Sequence, residues 1–181
     1  MTGAVARRYA KALFALAKEE QVLEQTAEQL QRMAALGDDP AIGPTLRSPL
    51  LSTERRRQLA QTLARDLSLS DLLTRFVGVL ADQQRLDQLP AMAEYFQLLL
   101  DQELGQVRIT MRSARTLDAQ QQEQIAGAFA RLTGKHVVPT LAVDPELLGG
   151  IVVEVGSKVY DGSVRTQLER LAKELGGTAV L

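Results

Sequence analysis

Val107-Arg108-Ile109-Thr110-Met111-Arg112 alternates apolar and polar side chains one for one. That period of two belongs to a half-buried β-strand and cannot serve an amphipathic helix. It starts immediately after Gly105 and divides the chain. Val, Ile and Thr together number 11 in residues 1–105 but 19 in the shorter 106–181, and Gly rises from 5 to 8 across the same point. Strands and tight turns therefore take over where helices joined by short loops end. The reading is an α+β chain in two domains. Residues 1–105 form a six-helix bundle, and residues 106–181 form a small α/β domain with strands and two helices.

Upstream of that strand the period is helical throughout. Val5, Tyr9, Ala12, Leu13 and Leu16 make one apolar stripe, with Thr2 as N-cap. Leu23, Ala27, Leu30 and Ala34 share a face of a second helix over 22–36, stopped by Gly37, Asp38, Asp39 and Pro40. A short third helix fits 41–46, and Ser48-Pro49 breaks the chain after it. Ser52 or Thr53 caps a fourth, running to about Leu67, with Leu59, Leu63 and Leu67 inward. Ser70 caps a fifth with Leu72, Leu73, Phe76, Val77 and Leu80 as its apolar side, and Asp71 suits its positive N-terminal end. A sixth runs from near Pro90 to Gly105. Helices this short are marginal alone, which predicts that they pack as one bundle.

Downstream, Asp118 and Gln121 form a capping box for a helix with Ile125, Ala128, Phe129 and Leu132 inward and Gly134 at its end. Val137 to Val143 is strand-like. Ile151, Val153 and Val155 alternate, Gly156-Ser157 offers a hairpin turn, and Val159-Tyr160 returns. Ser163 caps a last helix with Val164, Leu168, Leu171, Ala172 and Leu175 inward and Gly176 as its stop.

Composition narrows the function. The formal net charge is −1, without the basic excess that phosphate contacts require. No cysteine is present, which removes thiol catalysis and Cys-based zinc sites. The longest apolar run, Leu147 to Val153, is seven residues, against the roughly 20 of a membrane-spanning helix. Residues 1–18 hold Arg7, Arg8, Lys11 and Lys18 and no acid, as an organelle transit peptide does, yet they also read as a structural helix. Gly127 to Lys135 fails as a phosphate loop, because six residues separate Gly127 from Gly134 and His136 stands where Ser or Thr is needed. Gly149, Gly150 and Gly156 lack the dinucleotide-binding spacing. His136 is the sole histidine, Asp38-Asp39 reads as a turn, and Arg55-Arg56-Arg57 reads as a solvated helix face. No cofactor, metal or catalytic residue is expected. An RNA-binding regulator using Arg55, Arg56, Arg57 and Arg65, and a small enzyme using carboxylates, are the competing readings.

Five stretches carry a family resemblance. Val5-Ala6-Arg7-Arg8-Tyr9-Ala10-Lys11-Ala12-Leu13-Phe14, Arg85-Leu86 with Leu89-Pro90, and the long run Val143-Asp144-Pro145-Glu146-Leu147-Leu148-Gly149-Gly150-Ile151-Val152-Val153-Glu154-Val155-Gly156 are the first part of it. Asp161-Gly162-Ser163-Val164-Arg165 and Leu168-Glu169-Arg170-Leu171 complete it. Together they resemble the delta subunit of the F-type ATP synthase, which is similar to the mitochondrial oligomycin-sensitivity-conferring protein. The resemblance implies a non-catalytic stator subunit joining the catalytic head to the peripheral stalk. It implies that alpha-subunit N-terminal helices enter a groove between the first and fifth helices, at positions matching Tyr9, Ala12, Leu13, Phe76, Val79 and Leu80. The C-terminal domain would meet b or b/b′ stalk subunits. No nucleic acid is expected as a partner. Membrane association would be indirect, on the cytoplasmic face of a bacterial plasma membrane or a cyanobacterial thylakoid. Arg8, where some relatives carry proline, and Gly78, a poor helix former, depart from the pattern.

Overall fold

The computed structural model describes residues 3–37, 39–40, 42–48, 51–156 and 158–174. Thr2, Asp38, Ala41, Pro49, Ser157, Leu175 and Gly176, each given a role by the sequence, lie outside the described residues. The described chain is a helix-rich α+β structure with eight α-helices and a four-stranded sheet. It divides into two compact units, 1–100 and 101–181.

The first unit holds α1 (Gly3–Glu19), α2 (Leu23–Ala35), α3 (Gly43–Arg47), α4 (Thr53–Asp66), α5 (Asp71–Asp82), a 3-10 turn (Leu86–Gln88) and most of α6 (Leu89–Glu103). The helix starts follow the side chains. Ser52 caps α4 by accepting from the Arg55 amide, and Ser70 caps α5 by accepting from the Leu73 amide. Ser70 is itself anchored, its amide donating to Gln29 Oε1 at 2.9 Å. The core gathers Leu30, Met33, Leu73, Val77, Leu80, Leu89, Met92 and Phe96, with Phe14 meeting Phe96 edge-on at 5.4 Å. Each large side chain taken fully out of water contributes roughly 1.5–3 kcal/mol.

Helix α1 turns its expected stripe away from that core. Its buried residues are Ala6, Ala10, Leu13 and Ala17, whereas Ala12 and Leu16 are exposed and Val5 and Tyr9 half-buried. Three alanines on the inner side let the helix approach its neighbours closely, and the bulkier residues are left on its flank. Arg56 also departs from expectation. It shares the inward line of α4 with Ala60, Leu63 and Ala64, and is 3% exposed. Its guanidinium donates to the Ser48 carbonyl at 3.4 Å. Arg55 is exposed, and Arg57 pairs with Asp82 at 2.8 Å.

The second unit holds β1 (Gln106–Ser113), α7 (Ala119–Thr133), β2 (His136–Val143), a 3-10 turn (Pro145–Leu147), β3 (Ile151–Val155), β4 (Lys158–Asp161) and α8 (Val164–Glu174). The strand order is β2-β1-β3-β4. β1 and β2 run parallel, joined by α7 as a crossover, and the other pairings are antiparallel. β2 carries Pro139 and is mostly exposed, both of which an edge strand tolerates. Ile109, Met111 and Val153 face α7 and bury against Ile125, Ala126 and Phe129. Asp118 and Gln121 form the expected capping box. Before β3 the chain passes Gly162 closely. Gly150 has φ +78°, and a Cβ there would lie 2.3 Å from the Gly162 carbonyl oxygen, so only glycine fits.

Two helices of this unit do not bury the stripes the sequence gives them. In α7, Ile125 and Phe129 are half-buried, but Ala128 is exposed and Leu132 is 62% exposed. In α8, Val164, Leu168 and Leu171 are all exposed and only Ala172 is half-buried. A helical period reports that a face is apolar; it does not report what covers it.

Candidate functional site

Titratable groups offer little reactive chemistry. Among the described residues no three His, Cys, Asp or Glu side chains are grouped to hold a metal ion. Among the described residues, Asp161 stands out. The Ser163 amide and hydroxyl, and then the Thr166 hydroxyl, donate to its carboxylate and hold it below its usual range. This is a local staple at the entry to α8. Arg112 bridges Glu154 at 2.9 Å and Asp144 at 3.4 Å, which ties β1 and β3 to the turn after β2. Asp101 holds Arg108 at 3.0 Å in the same way. These ion pairs lie where they brace loops, with no convergent nucleophile or base beside them. Of the four arginines that would suit an RNA surface, Arg56 is buried and Arg57 is paired, which leaves Arg55 and Arg65 exposed.

What the molecule does present is apolar surface. On α1, residues repeat at about 100° per turn step, so Val5, Tyr9, Ala12 and Leu16 lie in one strip along the flank of the helix. On α5, Phe76 and Val79 occupy the corresponding flank beside the buried Leu72. The two flanks meet, because the Tyr9 and Phe76 rings pack edge to face with centroids 6.4 Å apart. Leu16 is 48% exposed and Val79 50% exposed. Of the six positions singled out in the sequence, Tyr9, Ala12, Phe76 and Val79 thus offer surface on this strip. Leu13 and Leu80 do not, being 1% and 0% exposed within the core. Leu16 belongs to the strip although its spacing suggested core. Its signal was present, four residues beyond Ala12 and seven beyond Tyr9.

In the second unit a groove of about 580 Å³ opens between α7 and the sheet, lined by Ile125, Ala128, Phe129, Ile151, Val153 and Tyr160 among others. Phe129 and Tyr160 meet edge to face at 5.2 Å along it. The exposed side of α8 adds Val164, Leu168 and Leu171. Each unit therefore carries apolar surface of its own, rimmed by charge, as docking sites do.

Comparison with known proteins gives the family. Residues 5–175 match the family model described as ATP synthase delta (OSCP) subunit. A protein named ATP synthase subunit delta from Anaeromyxobacter dehalogenans (strain 2CP-C) is 43% identical over 176 residues, covering 97% of this chain and 98% of the relative. One of the same name from Geobacter metallireducens is 38% identical over 172 residues, covering 94% and 96%. Among solved structures, a chain in the cryo-EM structure of the Toxoplasma gondii mitochondrial ATP synthase hexamer shares the fold with a TM-score of 0.71 at 21% identity, over 97% of this chain and 99% of that one.

Proposed function

The chain belongs to the ATP synthase delta (OSCP) subunit family, and from that premise we propose how its two surfaces are used. It is a non-catalytic stator component of the peripheral stalk of an F-type ATP synthase. The helices α1 to α6 act as one six-helix bundle that holds the catalytic head. The N-terminal helix of an alpha subunit lies on the strip formed by Tyr9, Ala12, Leu16, Phe76 and Val79. The second unit holds b or b/b′ stalk subunits, and the uncovered apolar side of α8 is its contact. Anchored through those partners, the subunit works on the cytoplasmic face of a bacterial plasma membrane, or of a cyanobacterial thylakoid. No helix of its own is long and apolar enough to cross a membrane, among the described residues.

The observation that carries this reading is the position of Val79. A valine half exposed beside an aromatic pair, on a helix whose buried residues are Leu72, Leu73, Val77, Leu80 and Ala81, lies outside the bundle's core. Laid under an amphipathic helix, it would lose its remaining water contact together with Leu16. A clamp that resists torque needs slow dissociation, and apolar helix-in-groove docking supplies it through a low off-rate.

Val79→Asp puts a charge at the centre of that contact and leaves the core untouched. Titration calorimetry against a peptide of the alpha-subunit N-terminal helix should then show binding weakened by at least about 100-fold, as loss of a central apolar contact to a buried charge requires. Circular dichroism should remain that of the parent. Unchanged affinity in the folded variant would remove Val79 from the interface.

A further inference from the structure

The α1 border of the strip is basic, with Arg8 and Lys11 among its cations. Arg7, Arg8, Lys11 and Lys18 are exposed on α1, whose single carboxylate, Glu19, stands at its last residue, eleven positions beyond Arg8. Three arginines elsewhere in the same unit have carboxylates of their own, Arg32 with Glu28 at 4.0 Å, Arg57 with Asp82 at 2.8 Å and Arg75 with Glu20 at 3.7 Å. Beside the strip, Arg8 and Lys11 have none within ion-pair distance among the described residues. The Arg8 guanidinium instead stands 5.7 Å from the centroid of the Tyr9 ring, the ring that meets Phe76. Around the helix, Arg8 and then Lys11 follow the apolar strip on the side away from the core. The α5 border differs, since Arg75 and Asp82 there are each paired and Asp71 adds a negative charge.

We propose that Arg8 and Lys11 select an amphipathic helix with a row of carboxylates along the edge that faces α1. The proposal rests on the docking reading above and adds the chemistry of the occupant and its direction. A helix seated on the strip strips water from Arg8 while the Tyr9 contact persists, so a neutral edge would leave a cation partly desolvated and unpaired. A carboxylate edge compensates it, and the attraction also guides encounter. Direction follows from geometry. With its apolar face down, a helix has its acidic edge on one side for one chain direction and on the other side for the reverse. Only one direction puts the acids against α1 and keeps them from Asp71. The same asymmetry disfavours a flat anionic bilayer, which would meet both borders at once.

The test titrates the full chain with a synthetic peptide of the alpha-subunit N-terminal helix, and with the same peptide carrying Gln and Asn for every Glu and Asp. Between about 50 and about 500 mM NaCl, where the Debye length shortens from about 14 Å to about 4 Å, parent affinity should fall about tenfold. Arg8→Glu/Lys11→Glu should bind the parent peptide about tenfold more weakly at the lower salt and lose the salt dependence. Changing the peptide's acids to Lys should restore binding to that variant and weaken binding to the parent chain. Arg8→Gln/Lys11→Gln, which introduces no repulsion, should lie between the two. If Val79→Asp abolishes binding while the charge variants and the amide peptide leave it unchanged, docking stands and the acidic edge is refuted. If Val79→Asp binds as the parent does, the docking reading itself falls and the proposal with it. Binding of vesicles of equal phosphatidylglycerol and phosphatidylcholine through Arg8 and Lys11, with no peptide binding, would assign the cations to lipid and overturn the proposal.

Discussion

The same sequence pattern has opposite meanings in the two units. In the first, the apolar sides of α2, α4, α5 and α6 close on one another and on the alanine face of α1, giving a core of nineteen buried apolar residues. In the second, the buried cluster among the described residues is four, Ile109, Met111, Val137 and Val153, the stripe of α7 is only half-buried against it, and Val164, Leu168 and Leu171 of α8 stand in solvent. The first unit closes most of its apolar surface on itself, with the α1/α5 strip and Leu98 of α6 left exposed among the described residues. The second keeps a larger share of its apolar side chains for something else. A subunit that bridges two assemblies has a use for both arrangements, a stiff body on one side and a receptive one on the other.

Substitutions test the contrast directly, and the deepest should give the largest response. Phe96→Ala removes a ring with no exposed surface, so chemical denaturation should show about 3–5 kcal/mol of lost stability. Gly150→Ala should cost about 1–3 kcal/mol, from the positive φ and the encroachment on Gly162. That loss should appear in the unfolding of the second unit, with the helical signal of the first retained to its usual midpoint. Leu168→Ala should change stability by less than about 0.5 kcal/mol, as an exposed side chain away from any core does. A loss of 2 kcal/mol or more there would mean that α8 is packed within the isolated chain, and the contrast would fail.

Much of this architecture was legible from side chains acting locally. Ser52, Ser70 and the Asp118–Gln121 box mark helix starts because each supplies an acceptor to an amide that the helix leaves unpaired. The alternation around Ile109 marks a strand because a sheet with one covered face demands it. Strand order was not legible, since nothing within β2 states that it pairs parallel to β1 and forms an edge. The inner side of α1 was misread because bulk drew attention to Val5, Tyr9 and Leu16, while the close approach is made by Ala6, Ala10 and Ala17. Arg56 was misread for the complementary reason. Its charge argued for solvent, but its place on the line of Ala60, Leu63 and Ala64 put it inside, with the Ser48 carbonyl as acceptor.

The candidate strip was only half readable. Spacing alone gives an apolar stripe on each helix and cannot bring α1 beside α5; that neighbourhood came from the family resemblance, and in the structure the Tyr9–Phe76 contact joins the two. Periodicity sets Val79 off the line of Leu72, Phe76 and Leu80, but it does not separate Tyr9 from Leu13, which lie only about 40° apart in direction. Coordinates make that separation. They turn a list of apolar positions into an inside and an outside.

The account depends on the chain transmitting force without reacting, through a contact centred on Val79. The most direct measurement is proton-driven ATP synthesis by membranes depleted of this subunit and resupplied with either the parent chain or Val79→Asp. Coupled synthesis should return with the parent chain and stay near the depleted level with the variant, while ATP hydrolysis by the free head is the same in both. Full coupling with the folded Val79→Asp chain, or in membranes given no subunit at all, would contradict the account.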